Sequence, residues 1–137
     1  MATTTTHSND VTRIFDKNET ISAAHSVTAA DSGKTFWLNA AAGAAISLPA
    51  LKAGLNYKFI VAANFATSDW VITPSDADKI NGTIVVNGAS VNADATDSVT
   101  FELGAESLGD FVEFYCDGSN WFINGVGNSA SSITTTG

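Results

Sequence analysis

The stretch that most limits what this chain can fold into is residues 109–127, GDFVEFYCDGSNWFINGVG. Phe111, Glu113 and Tyr115 fall on one face of an extended segment, and Val112, Phe114 and Cys116 fall on the other. The second face is wholly apolar and therefore points into a core. Asp117-Gly118-Ser119-Asn120 supplies a turn, because Asp and Asn side chains satisfy nearby backbone groups and Gly tolerates positive φ. Trp121, Phe122 and Ile123 form the return arm, which Asn124-Gly125 is expected to end. This reads as the central hairpin of an all-β domain.

The remaining chain repeats that pattern in shorter pieces. Residues 34–39 place Phe36 and Leu38 on an inward face. Residues 46–48 alternate up to Pro49, which cannot donate to a ladder. Residues 57–62 and 70–73 are further strands, the latter closed by Pro74-Ser75-Asp76. Asn87-Gly88 between residues 83–86 and 89–91 is the dipeptide that most readily takes the type I′ hairpin turn, and Asn81-Gly82 is read as another turn. Residues 98–103 put Val99, Phe101 and Leu103 on one face. The run AAAGAA, residues 40–45, is interrupted by Gly43 and too short for a stable helix, so it is a connection.

About nine or ten short strands with turn signals near every ten residues predict an antiparallel β-sandwich or a jelly-roll-like barrel. The expected domain spans residues 17–127. Residues 1–16 are expected to be an extended, partly flexible arm and residues 128–137 a flexible C-terminal tail. In the arm, Val11, Arg13, Ile14 and Phe15 follow ten residues with almost no apolar groups, so they are the candidates for contact with a neighbouring subunit or a larger surface. Edge strands with few lysines to blunt them point to an oligomer.

Composition excludes several function classes. Fourteen acidic residues against six basic ones give a net charge of −8, which repels a phosphate backbone, so nucleic acid is not an expected partner. No apolar run is long enough to cross a bilayer, and the polar start lacks the apolar core of a signal peptide. No membrane partner is expected, and synthesis is expected in the cytoplasm. Cys116 is alone and sits on the inward face, the usual place of a small hydrophobe. His7 and His25 are too few and too badly placed for a zinc site or a serine triad. Asp69, Asp76 and Asp78 lack the ligand order of a calcium loop and are read as turn residues. Asn18 and Asn81 match the glycosylation pattern, a match expected to be chance because no signal peptide is expected. The chain is expected to be no enzyme, with no catalytic residue, no metal and no cofactor. Trp37 and Trp70 are the candidate aromatics for an interface or for stacking on sugar rings.

The segments SGKTFWLNAAAGAAISLPAL, YKFIVAA, VITPSDADKING and GDFVEFYCDGSNWFINGVG, together covering roughly residues 31–127, resemble the small β-sandwich decoration, or cement, proteins of tailed-bacteriophage capsids. The resemblance implies a structural virion protein. It implies a homotrimer on the outer capsid surface, bound to the major capsid protein and stabilising the shell against internal pressure. Related sandwiches also occur in tail fibres, which leaves a receptor- or carbohydrate-binding module as the alternative.

Overall fold

In the computed structural model, residues 17–77 and 79–137 are described. Among them twelve strands follow in order: β1 (Asn18–Ile21), β2 (His25–Ser26), β3 (Thr35–Leu38), β4 (Ala45–Ser47), β5 (Asn56–Val61), β6 (Trp70–Thr73), β7 (Ile80–Val86), β8 (Ala89–Thr96), β9 (Ser98–Phe101), β10 (Phe111–Cys116), β11 (Trp121–Gly127) and β12 (Ile133–Thr136). They form a seven-stranded sheet, β1-β3-β5-β10-β11-β7-β8, and a five-stranded sheet, β12-β9-β6-β4-β2. The all-β sandwich expected from the alternation is what forms.

The pairing departs from the antiparallel expectation. From β1 to β6 the chain alternates between the two sheets, and each new strand lies parallel to the one laid down a turn earlier: β1, β3 and β5 in the larger sheet, β2, β4 and β6 in the smaller. The first half is therefore wound like a coil of three turns. The second half pairs antiparallel, β10 with β5 and β11, and β9 with β6 and β12, apart from the parallel β7–β11 pair. Period-two alternation looks the same in both arrangements, because it reports which face a side chain takes and not the direction of its neighbour.

One core fills the space between the sheets. Phe36, Leu38, Phe59, Val112, Phe114, Trp121, Val99 and Phe101 are all buried in it, with Cys116 among them. Parallel register places Phe36 opposite Phe59, and their rings stack with centroids 5.2 Å apart. Phe59 meets Phe114 edge-on at 5.7 Å, and Phe114 meets Trp121 likewise at 6.2 Å, the geometry that aromatic quadrupoles favour.

Two Asn-Gly pairs end up with different roles. Asn87 and Gly88 both have positive φ, 51° and 77°, and turn the β7–β8 hairpin as expected. Asn81 and Gly82 lie inside β7 rather than in a turn. There the β7–β8 ladder shifts register between Ile80 and Gly82, and the Asn81 Oδ1 accepts the Ala95 amide at 3.0 Å to close the bulge. A Cβ on Gly82 would sit 2.3 Å from the Ile123 carbonyl oxygen. The glycine serves the close parallel approach of β11, a tertiary demand that the dipeptide does not encode.

Three further expectations are corrected. Asn124-Gly125 does not end the return arm, since β11 continues to Gly127. Leu103 lies beyond the end of β9 and is exposed, so the inward series stops at Phe101. Residues 128–137 are not a tail: β12 pairs with β9 from Ile133↔Phe101 to Thr136↔Ser98, and Ile133 is buried. A run of Ser and Thr hides the strand in the sequence, and the single large side chain facing inward is what holds it.

Acidic side chains fasten the loops between strands. The buried Asp110 carboxylate accepts the Ser107 amide through Oδ2 and the Asn128 amide through Oδ1, both at 2.9 Å. Glu106 accepts the Phe65 and Gly104 amides at 2.7 and 2.6 Å. Asp69 accepts the Leu103 amide at 2.7 Å, and Asp117 accepts those of Ser119 and Asn120, each at 2.7 Å. Asp76 belongs to the bend after β6, and Asp78 lies outside the described residues.

Two substitutions test this architecture. Ile133→Ala is expected to cost about 2–5 kcal/mol, the range for emptying a buried aliphatic site, whereas a residue in a loose tail would cost nothing measurable by denaturant unfolding. Gly125→Ala places a Cβ 2.3 Å from the Phe111 carbonyl oxygen and 2.8 Å from the Ile84 Cγ2. With backbone on one side, relief requires strand movement, and a loss of about 1–3 kcal/mol or more is expected in the same measurement.

Candidate functional site: the outer face of the larger sheet

Alternation that sends one set of side chains inward sends the other set out, and on the larger sheet the outward set is unusual. Register aligns it into rows running across the strands. One row reads Trp37, Ile60, Phe111, Val126 and Val85, on β3, β5, β10, β11 and β7 in turn. Five adjacent strands at about 4.8 Å spacing make this apolar row roughly 20 Å long. Val126 and Val85 are 47% and 41% exposed. Trp37, Ile60 and Phe111 are half-buried, covering one another along the row.

The next row is polar: Thr35, Lys58, Glu113, Asn124 and Thr83. Lys58 Nζ lies 3.5 Å from a Glu113 carboxylate oxygen and 4.4 Å from the centre of the Phe111 ring, so it joins the polar row to the apolar one. The third row is Asn56, Tyr115, Phe122 and Asn81. Tyr115 and Phe122 are exposed by 46% and 44%, and the Tyr115 hydroxyl donates to the Glu113 carboxylate two residues back on its own strand. That bond, with Lys58 beside it, holds the Glu113 carboxyl below its usual pKa; the hydroxyl gives the larger effect, and burial opposes both. The same bond pushes the Tyr115 phenol up.

Across these rows the charged side chains are Lys58 and Glu113, which cancel. The molecule carries a net charge of −8, so this face is a neutral, largely apolar surface on an acidic protein. Scattered exposed apolar residues need no explanation, but a contiguous row does.

The sequence-predicted site residues divide. Trp37 stands at the end of the apolar row, and its indole Nε1 donates to Asn18 Oδ1 at 3.2 Å. Trp70 is not a surface aromatic: it is fully buried on an inner strand of the smaller sheet, 6.5 Å from Phe65 by ring centroids. Val11, Arg13, Ile14 and Phe15 lie outside the described residues. The alternation of residues 111–116 by itself places Phe111 and Tyr115 on the outward face. Their neighbours in the rows come from strands distant in sequence, and only register brings them together.

Elsewhere, a cleft of about 440 Å³ separates the β7–β8 hairpin from β12, lined by Val86, Val91, Ile133 and small residues, Ala, Ser, Thr and Asn, none of them titratable. Among the described residues, no group of three or more His, Cys, Asp or Glu side chains is placed to hold a metal ion.

Removing the Tyr115 hydroxyl tests the electrostatics of the face. In Tyr115→Phe the Glu113 carboxyl is expected to titrate higher, closer to the ordinary carboxylate range, as read by NMR of its carboxyl carbon. The sign for stability follows from a folded-state pKa below the unfolded one. The hydroxyl's contribution is complete above the unfolded value near 4.3 and fades as pH falls through the folded value. Wild type and Tyr115→Phe should therefore differ at pH 7 and converge on strong acidification.

Comparison of the chain with protein-family models, with curated proteins and with solved structures finds no match.

Proposed function

We propose that this chain is a structural virion protein, a decoration protein that sits as a homotrimer on the outer surface of a tailed-phage capsid and binds the major capsid protein. The observation that carries the reading is the apolar row from Trp37 to Val85. A row of this length on an otherwise acidic surface is suited to being covered by another protein, and its neutrality removes the repulsion that fourteen acidic residues would otherwise impose. The resemblance of residues 31–127 to capsid decoration proteins points the same way.

In this reading the protein acts as a clamp. Apolar surface buried across the seam between capsid subunits is re-exposed if the subunits separate, so the bound trimer adds its binding free energy to the cost of rupture. A specific seat of this kind requires about 1,000 Å² or more of buried surface. The three-turn winding and single core suit the role mechanically, because every strand of the coil except the edge strands β1 and β2 is paired on both sides. The residues Val11, Arg13, Ile14 and Phe15 are assigned to the same task, reaching a neighbouring subunit or the shell.

The test uses capsids prepared without the protein, to which purified chain is added and bound copies are counted against the major capsid protein. Wild type is expected to bind at a fixed stoichiometry and to scatter light as a trimer. Val85→Asp with Val126→Asp puts two charges on the outward row without touching the core. That variant should melt as wild type does and lose capsid binding at least about tenfold, the scale of a disrupted interface core. Equal binding by wild type and variant, or no binding by either, would refute the reading.

A further inference from the structure

The third row of the outer face carries chemistry that docking to a protein shell does not call for. Tyr115 and Phe122 are direct cross-strand partners, and each exposes close to half of its surface. A cross-strand aromatic pair on a hairpin usually contributes to the pairing itself. Among the described residues the rings make no centroid contact with each other or with another ring, unlike the inward aromatics, which pack in a continuous chain from His25 to Trp121. The bond from the Tyr115 hydroxyl to Glu113, two residues along the same face of the strand, restrains the ring, while 46% of the residue stays exposed.

Amide side chains close both ends of the pair. Asn56 is the partner of Tyr115 across β5, and Asn81 is the partner of Phe122 across β7. Among the described residues, each is tethered through one half of its amide. The Asn56 Nδ2 donates to the Gly54 carbonyl at 3.3 Å, which leaves its Oδ1 as an acceptor. The Asn81 Oδ1 accepts the Ala95 amide at 3.0 Å, which leaves its Nδ2 as a donor. Asn124, two residues beyond Phe122 on the outward face, is the cross-strand partner of Glu113. Two flat apolar rings are thus bracketed by donors and acceptors, beside the paired Lys58 and Glu113, with the exposed Asp94 of β8 at the Asn81 end.

We infer that the row Asn56–Tyr115–Phe122–Asn81 is a binding platform for a neutral, unbranched glycan. The C–H faces of successive pyranose rings lie on Tyr115 and Phe122, and the hydroxyls at the ring edges meet the free halves of Asn56 and Asn81. This is the division of labour in sites that pair an apolar floor with a few placed polar groups. An anionic glycan is disfavoured by the net charge of −8. The row lies four residues along β10 from the apolar row, about 13 Å, so the hairpin end of the face presents the platform beyond the surface assigned to the shell.

The experiment is an NMR titration of the isolated full-length chain with cellohexaose, maltohexaose and chitohexaose, at concentrations up to about 10 mM, where weak carbohydrate sites saturate. The expected result is saturable movement, with at least one of the three, of the backbone amides of Glu113, Tyr115, Phe122 and Asn124 and of the side-chain amides of Asn56 and Asn81. Tyr115→Leu with Phe122→Leu keeps apolar bulk but removes both flat rings, and is expected to weaken that binding at least about tenfold. Tyr115→Phe keeps both rings but loses the tether to Glu113, and should bind more weakly than wild type and more tightly than the double variant, whose melting temperature, expected to match that of wild type, guards against a folding defect. The inference is overturned if none of the three sugars produces saturable shifts, if the shifts map away from this row, or if the double-leucine variant binds as tightly as wild type. Capsids play no part in the measurement, so its outcome is separate from that of the decoration reading.

Discussion

Phe59 is the joint of the molecule. Its strand, β5, pairs parallel with β3 on one side and antiparallel with β10 on the other, and its ring is stacked on Phe36 and met edge-on by Phe114. The wound half and the antiparallel half are thus joined at β5–β10 in the larger sheet, with this aromatic cluster across the joint, and again at β6–β9 in the smaller sheet. Burial of large apolar side chains, worth about 1.5–3 kcal/mol each relative to exposure, is non-directional and would accept many arrangements. What selects this one is the register of β5, which must satisfy a slanted ladder and a perpendicular one at once.

A second dependence is electrostatic. A chain with more than twice as many acidic as basic residues is usually read as having a solvated negative surface. Several of its carboxylates instead accept backbone amides: Asp31 that of Thr28, Asp69 that of Leu103, and Glu106, Asp110 and Asp117 two each. Charge-assisted bonds of this type are stronger than neutral ones, and they secure connections that carry little apolar content of their own. The pairs formed by Lys34 with Glu19 and Asp31, both at 2.8 Å, close the first coil in the same manner. Acidity is therefore part of the loop architecture as well as a property of the surface.

These two features together explain why the outer face of the larger sheet stands apart. Inward positions are committed to the core, and many acidic groups are committed to loops and edges, so the outward rows of the central strands are free to vary. They carry an apolar row at one end, a cancelled charge pair in the middle and an amide-bracketed aromatic pair at the other. A surface of that composition on a rigid sheet holds its side chains at fixed spacing, which favours recognition because little ordering remains to be done on binding.

By itself the sequence determined the faces. The alternation in FVEFYC, TFWL and NYKFIV decided which side chains go inward, and Asn87-Gly88 and Asp117 to Asn120 marked their turns, because these signals are local and each residue's chemistry acts on its own backbone. Tertiary structure decided the pairing. Whether β3 lies parallel or antiparallel to β5 leaves the two-residue period unchanged, so the coil was invisible. Asn81-Gly82 lies in a strand because β11 approaches too closely for a side chain at Gly82. Ile133 makes a strand of an apparent tail because β9 offers an unpaired edge. Trp70 is core while Trp37 faces out, although both sit in similar four-residue strands, since burial depends on which face meets the opposing sheet. The outer rows follow the same rule: Tyr115 pointed outward on sequence grounds, but only register could set Phe122, Asn56 and Asn81 beside it.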